Sequence, residues 1–150
     1  MYKKSLFIFR RDLRLSDNKG LNAALKDSER VIPLFIFDYR QITTKNRYYS
    51  KNAVQFMLES LEDLALQLKK HKARLYCFYG TAHIIVAKLI QQEKIEAVYV
   101  CRDYTPFSII RDEMLKKICL HYFCAFRSID DLLLHPPEVV TTKNGDPFSI

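Results

Sequence analysis

The cores of four short segments are apolar without alternation: SLFIF (5–9), RVIPLFIFD (30–38), RLYCFYG (74–80) and AVYVCRD (97–103). A strand with one wet face alternates apolar and polar residues, whereas a strand covered on both faces does not, and such runs mark a parallel sheet. YFCAFRSI (122–129) reads as a fifth strand. Helix-period segments lie between the strands. The clearest is 52–70, where Val54, Met57, Leu58, Leu61, Leu64, Ala65 and Leu68 recur at i, i+3, i+4 and i+7. This alternation predicts a doubly wound α/β domain, a Rossmann-like parallel sheet of about five strands with helices on both faces.

Local signals predict the boundaries. Asp17 is expected to cap a short helix with Leu21, Ala24 and Leu25 on one face. Pro33 lacks a donor and belongs near the start of its strand, where the ladder is incomplete. Asn52 and Gln55 have capping-box spacing, and Gly80 closes the third strand. Thr81 is placed to cap a helix facing inward through Ala82, Ile85, Val86 and Leu89. Thr105-Pro106 is a cap followed by proline at the first helical position, with Ile110, Met114 and Ile118 expected inward.

A chain of 150 residues suits one such domain, and only three glycines argue against low complexity over most of it. The net charge of +7 comes from scattered lysines with no block of five, a solvated basic surface that permits an anionic partner without requiring one. Cys77, Cys101, Cys119 and Cys124 form no CxxC pair and no metal-ligand spacing with the histidines. Reduced thiols and a cytoplasmic location are expected. The first apolar run is too short for a signal peptide, and no stretch nears the ~20 apolar residues that would span a bilayer.

Ligands of open parallel sheets sit beyond the carboxyl ends of the strands, near the point where strand order reverses. Three polar clusters converge there: Arg10, Arg11 and Asp12 after the first strand, Asp38 after the second, and Arg102, Asp103 and Tyr104 after the fourth. The turn RRDLRL holds no glycine, which excludes a dinucleotide fingerprint or a P-loop at that turn. GxSxG and HExxH are absent, and His71, His83, His121 and His135 fall on helix surfaces or in the tail. A phosphoacceptor receiver domain would need an acidic pair where Arg10 and Arg11 stand. No nucleophile or proton-transfer pair emerges, so no catalytic or metal-binding residue is assigned. Two readings of the rim stay open: an ion-pair network that fixes the loops, or a docking site for an anionic or polar aromatic ligand.

FRRDLRLSDNKGLNAAL, VIPLFIFD, SKNAVQFMLESLEDL, CRDYTPFSIIRD and LLLHPPEVVTTKNGDPFSI together resemble the amino-terminal part of the DNA photolyase/cryptochrome family, in the family's order. RRDLR, the Phe-Asp after the second strand and RDYTPF look closer to microbial cyclobutane pyrimidine dimer photolyases than to plant or animal cryptochromes. The resemblance implies an α/β domain over 1–130 that holds a light-harvesting antenna chromophore: FMN, a deazaflavin or a reduced folate. Residues 131–150 would begin a connector to a helical domain, not contained in these residues, that binds FAD and the lesion. The parent protein would be a light-driven carbon–carbon lyase acting on damaged DNA, and this part alone would not catalyse repair.

Carried over by motif, Arg11, Asp12 and Leu13 would border the chromophore. Asp38, Lys51, Asn52 and Phe56 would form a second side, and Arg102, Asp103 and Tyr104 a third. Phe56 or Tyr104 would supply a stacking face. Arg10 and Arg14 would be structural, tying the first loop to Asp17 or to the helical domain. Weak self-association through the surface meant for that domain is a further expectation. The rival readings are a free-standing nucleotide- or flavin-binding module and a structural remnant whose rim is a closed salt-bridge network.

Overall fold

The computed structural model describes residues 1–44 and 46–133. The elements run β1 (Ser5–Phe9), α1 (Lys19–Asp27), β2 (Val31–Phe37), α2 (Tyr39–Ile42), α3 (Lys51–Lys70), β3 (Tyr76–Tyr79), α4 (Ala82–Glu93), β4 (Ala97–Cys101), α5 (Pro106–His121) and β5 (Ala125–Ile129). The five strands form one sheet in the order β3-β2-β1-β4-β5, every pairing parallel. The chain winds from β1 toward β3, crosses back, and continues from β4 to β5, so strand order reverses between β1 and β4.

Each sheet face carries its own core. Phe7, Phe9, Phe35, Tyr99 and Cys101 pack with Leu21 and Ala24 of α1 and with Leu61, Leu64 and Leu68 of α3. Leu6, Ile8, Leu34, Val98 and Val100 pack on the other face with Val86 and Ile90 of α4 and Leu115 and Cys119 of α5. All residues of β1 and β4 are buried, as their unbroken apolar runs require. Burying a large apolar side chain contributes roughly 1.5–3 kcal/mol, so these two strands anchor the sheet. β3 and β5 are edges and depart from the expectation of cover on both faces: Tyr76 and Tyr79 of β3 are exposed.

Helix α1 comes unusually close to the sheet where strand order reverses. A Cβ on Gly20 would lie 2.6 Å from the Cys101 sulfur and 3.0 Å from the Phe7 ring. Its cap is Asn18, one residue past the expected Asp17. Asn18 Oδ1 accepts from Leu21 N at 2.9 Å, while Asp17 takes a left-handed turn with φ 51°. Leu25 faces solvent rather than the core.

Helix α3 begins at Lys51, capped by Ser50, whose Oγ accepts from Ala53 N. The expected Asn52–Gln55 box does not form, because Gln55 donates to Glu59 on the next turn. Leu58 is exposed. Thr81 and Thr105 do occupy cap positions, and Pro106 opens α5; Thr105 Oγ1 accepts from Ser108 N, while Thr81 makes no side-chain cap bond. The inner face of α5 matches the expected Ile110, Met114 and Ile118 only in part: Ile118 packs against the core, but Ile110 and Met114 are exposed. Ser108, Leu115 and Cys119 are buried instead, and Ile110 is 63% exposed. The first two turns face the rim and carry polar side chains there, which hides the true face from a hydrophobic count. The tail from 134 on, with its paired prolines, the Asn144-Gly145 turn and the GDPF stretch, lies outside the described residues.

Candidate functional site

The carboxyl ends of β1, β2 and β4 bring the three polar clusters to one rim, as the sheet topology requires. The first loop is held from within. Asp12, 8% exposed, accepts from Arg10 N at 2.9 Å and from Asn18 Nδ2 at 3.1 Å, and its carbonyl accepts from Arg14 N. Leu13 packs against the α1/α3 core. These bonds fold RRDLRL into a fixed turn without glycine.

Arg10 runs under the rim to α5 and donates to both carboxylate oxygens of Asp112 at 2.9 and 2.6 Å, and to the Cys101 carbonyl at 3.3 Å. Arg14 donates to the Asp17 carbonyl at 2.8 Å and to Asp131 at 2.7 Å. Both arginines therefore tie loops together, and Asp17 is a partner through its backbone. Beyond β4, Arg102 lies 3.4 Å from Asp130 and stacks over the Tyr104 ring at 4.7 Å, while Tyr104 donates to Asp130 at 2.6 Å. Only a small cleft of about 50 Å³ remains among Asp12, Arg14, Arg102 and Asp131.

On the other side of β1 the rim opens into a crevice of about 330 Å³. Its floor is Ile8, Phe9, Phe35 and Ile36, and one wall is Ser50, Ala53, Val54 and Met57 at the start of α3. Tyr48 and Tyr49 come from the preceding loop, and Arg111 and Leu115 from α5 complete the opposite wall. Arg11, Asp38 and Asp103 also line it, the two carboxylates buried and Arg11 largely in solvent. An apolar floor, a few convergent polar groups and a volume within roughly 300–1,000 Å³ are the attributes of a small-molecule site.

The two lining carboxylates are held ionised. Burial alone would raise the pKa of Asp38, but side-chain and backbone hydrogen bonds from Arg40, with the charges of Arg40 and Arg111, outweigh it and lower it. Asp103 is likewise pushed up by burial and pulled further down by Thr105 N, Ser108 Oγ and Arg11. Asp38 also caps α2, and Arg40 stacks on Phe107 at 5.0 Å, bracing the crevice against the start of α5.

Of the residues singled out by sequence, Arg11, Asp38 and Asp103 line this crevice. Asp12 and Arg102 line the small cleft instead, and Arg11 and Asp103 border both. Leu13 belongs to the core fringe, and Tyr104 is engaged with Asp130. Lys51 and Asn52 are exposed, and Phe56 is 71% exposed, outside the crevice lining. Where α3 starts, after Ser50, residues 50, 53, 54 and 57 line the crevice instead. Sequence reasoning missed those wall residues and Arg111, although Arg111 shares a helix face with Ser108 and Leu115 and was open to detection by that spacing.

The model of the DNA photolyase family matches residues 5–150. The chain belongs to the DNA photolyase family. The solved structure of an archaeal photolyase from Sulfolobus tokodaii, described as holding two FAD molecules and implying a novel light-harvesting cofactor, superposes with a TM-score of 0.85 at 47% identity. The match covers 89% of this chain and 31% of that one. Deoxyribodipyrimidine photo-lyase of a Synechococcus strain is 31% identical over 97% of this chain and 30% of its own length. Cryptochrome-1 of Drosophila melanogaster is 34% identical over 93% of this chain and 27% of its own. The chain thus spans about 30% of the length of these relatives. No helix among the described residues is long and apolar enough to cross a membrane.

Proposed function

We propose that the crevice between the ends of β1 and β2 holds a flavin as light-harvesting cofactor, and that the chain is the antenna-bearing part of a light-driven photolyase acting on pyrimidine dimers in DNA. The observation that carries the reading is the crevice itself: an aromatic and aliphatic floor at the strand ends with a few charged groups in its lining. The archaeal relative, 47% identical and described with a second FAD, favours a flavin over the deazaflavin and reduced-folate alternatives. In this reading residues 1–130 form the antenna domain and 131–150 lead toward a helical domain that carries the repair FAD and contacts damaged DNA.

Arg11, Asp38 and Asp103 keep their assigned places at the cofactor. Ala53, Val54 and Met57 take over the wall given by sequence to Lys51, Asn52 and Phe56. Asp12, Leu13, Arg102 and Tyr104 act from behind, by shaping the loops. A cytoplasmic location, a microbial cyclobutane-dimer photolyase as parent, and weak self-association of the chain belong to the same proposal. The structural-remnant reading would need a sealed rim, and half of the rim is sealed in that manner.

Titration of the purified chain with FAD, FMN, a deazaflavin and a reduced folate, followed by fluorescence, tests the proposal. Saturable flavin binding that is lost in Ala53→Trp, which fills the crevice, is expected. Binding of none of the four, or flavin binding indifferent to Ala53→Trp, would overturn it.

A further inference from the structure

The charges around the crevice do not cancel. Arg10, Arg11, Arg40 and Arg111 face Asp38, Asp103 and Asp112, leaving one positive charge in excess among the described residues at this place. The pairing is uneven as well. Arg40 takes both oxygens of Asp38 at 2.9 and 2.6 Å, and Arg10 takes both of Asp112. Arg11 sits 3.5 Å from Asp103 with most of its side chain in solvent.

Arg111 receives only a share. Its Nε lies 3.2 Å from Asp112 Oδ1, the same oxygen that Arg10 Nη2 already holds at 2.6 Å. The side chain is 11% exposed, and its Nη2 is fully buried with no hydrogen-bond partner among the described residues. The Phe107 ring lies beneath the guanidinium, 5.9 Å from its carbon, and offers no acceptor oxygen. A buried cationic donor left without an acceptor is costly, and native structures rarely keep one without a use. Burial, aided by the neighbouring charge of Arg10, lowers the pKa of Arg111 to about 10, so the group remains a cation at neutral pH. It stands in the wall of the crevice, across the floor from α3.

We propose that Arg111 receives the phosphate of a flavin nucleotide in this crevice, and so makes the site select phosphorylated flavin over riboflavin. The proposal rests on the flavin reading of the crevice. An incoming phosphate supplies the anion that the cluster lacks, and the planar guanidinium presents its N–H groups in a fork suited to two phosphate oxygens. Asp112 anchors the guanidinium through Nε. Arg11, largely in solvent, contributes long-range attraction that solvent screens.

The test compares FMN with riboflavin, which differ by the phosphate alone, in parallel titrations of the unaltered chain and of Arg111→Gln. A charge-assisted hydrogen bond in a buried site predicts FMN binding about tenfold or more tighter than riboflavin. Arg111→Gln is expected to bring the ratio of FMN to riboflavin affinity close to one. Arg111→Lys, which keeps the charge but loses the fork, should fall between. Equal affinities of FMN and riboflavin for the unaltered chain would overturn the role of Arg111 while leaving the flavin crevice intact, and this arm needs no variant to fold. Discrimination that persists in Arg111→Gln would also overturn it. Binding of neither compound would overturn the flavin reading and this proposal with it.

Discussion

The two flanks of β1 are furnished with the same residue types and end in different states. Toward β4 and β5, Arg14, Arg102, Tyr104, Asp130 and Asp131 satisfy one another and leave a cleft of about 50 Å³. Toward β2, the arginines and aspartates stand at the edges of a crevice of about 330 Å³ and keep one cation in surplus. The backbone accounts for the difference. The segment after β2 turns through α2 and a loop before α3 begins, which holds α3 away from the strand ends, whereas β5 delivers Asp130 and Asp131 directly against the first loop. Arginine and aspartate at a strand end are therefore not a site in themselves. They become one where the neighbouring helix is set back far enough to leave room.

Breaking the link under both flanks should have the largest effect. Asp112→Asn removes the charge shared by Arg10 and Arg111, whose side chains are 8% and 11% exposed. A loss of about 3–5 kcal/mol is expected in chemical denaturation, since two buried cations would lose their counter-charge. Next comes the tight contact on the closed flank. Gly20→Ala should cost about 1–3 kcal/mol by driving α1 off Cys101 and Phe7, with little effect on the crevice.

Acid should reach the open flank through Asp38 and Asp103. Both carboxyls lie below their ordinary value of 3.8 in the folded chain, so the unfolded chain binds more protons in acid. Their contribution is complete above that pH and is lost as pH falls through the lowered folded values. Asp38→Asn should flatten that part of the stability–pH curve. The smallest effect on stability belongs to Arg11→Ala, because its pair with Asp103 is long and its side chain 65% exposed. Less than about 1 kcal/mol is expected, while flavin affinity should weaken at low salt and hardly at all at high salt.

The sheet was legible in sequence because β1 and β4 are buried along their whole length and wear that burial as unbroken apolar runs. The edges misled, since Tyr76 and Tyr79 are apolar enough to pass for covered residues yet stand at the last strand. Converging charges at the strand ends were legible from topology alone. Which side of β1 would be open was not, for it depends on how the start of α3 sits against the strand ends, and α3 begins after Ser50, two residues before the expected cap at Asn52. Phe56 faces outward, while Val54 and Met57, which the helical period already put on the apolar face, line the crevice. Arg111 escaped because the inner face of α5 is polar at its start, where Ile109 and Ile110 point to solvent and only Ile118, further along, packs on the core.

Under the proposed function, ligand enters the open flank and the closed flank serves as scaffold. Amide chemical shifts of the ¹⁵N-labelled chain, followed during titration with FAD, test it most directly. The predicted result is saturable movement at Ala53, Val54, Met57 and Arg111, with Arg14, Arg102 and Asp131 nearly still. Movement concentrated at Arg14, Arg102 and Asp131 would contradict it.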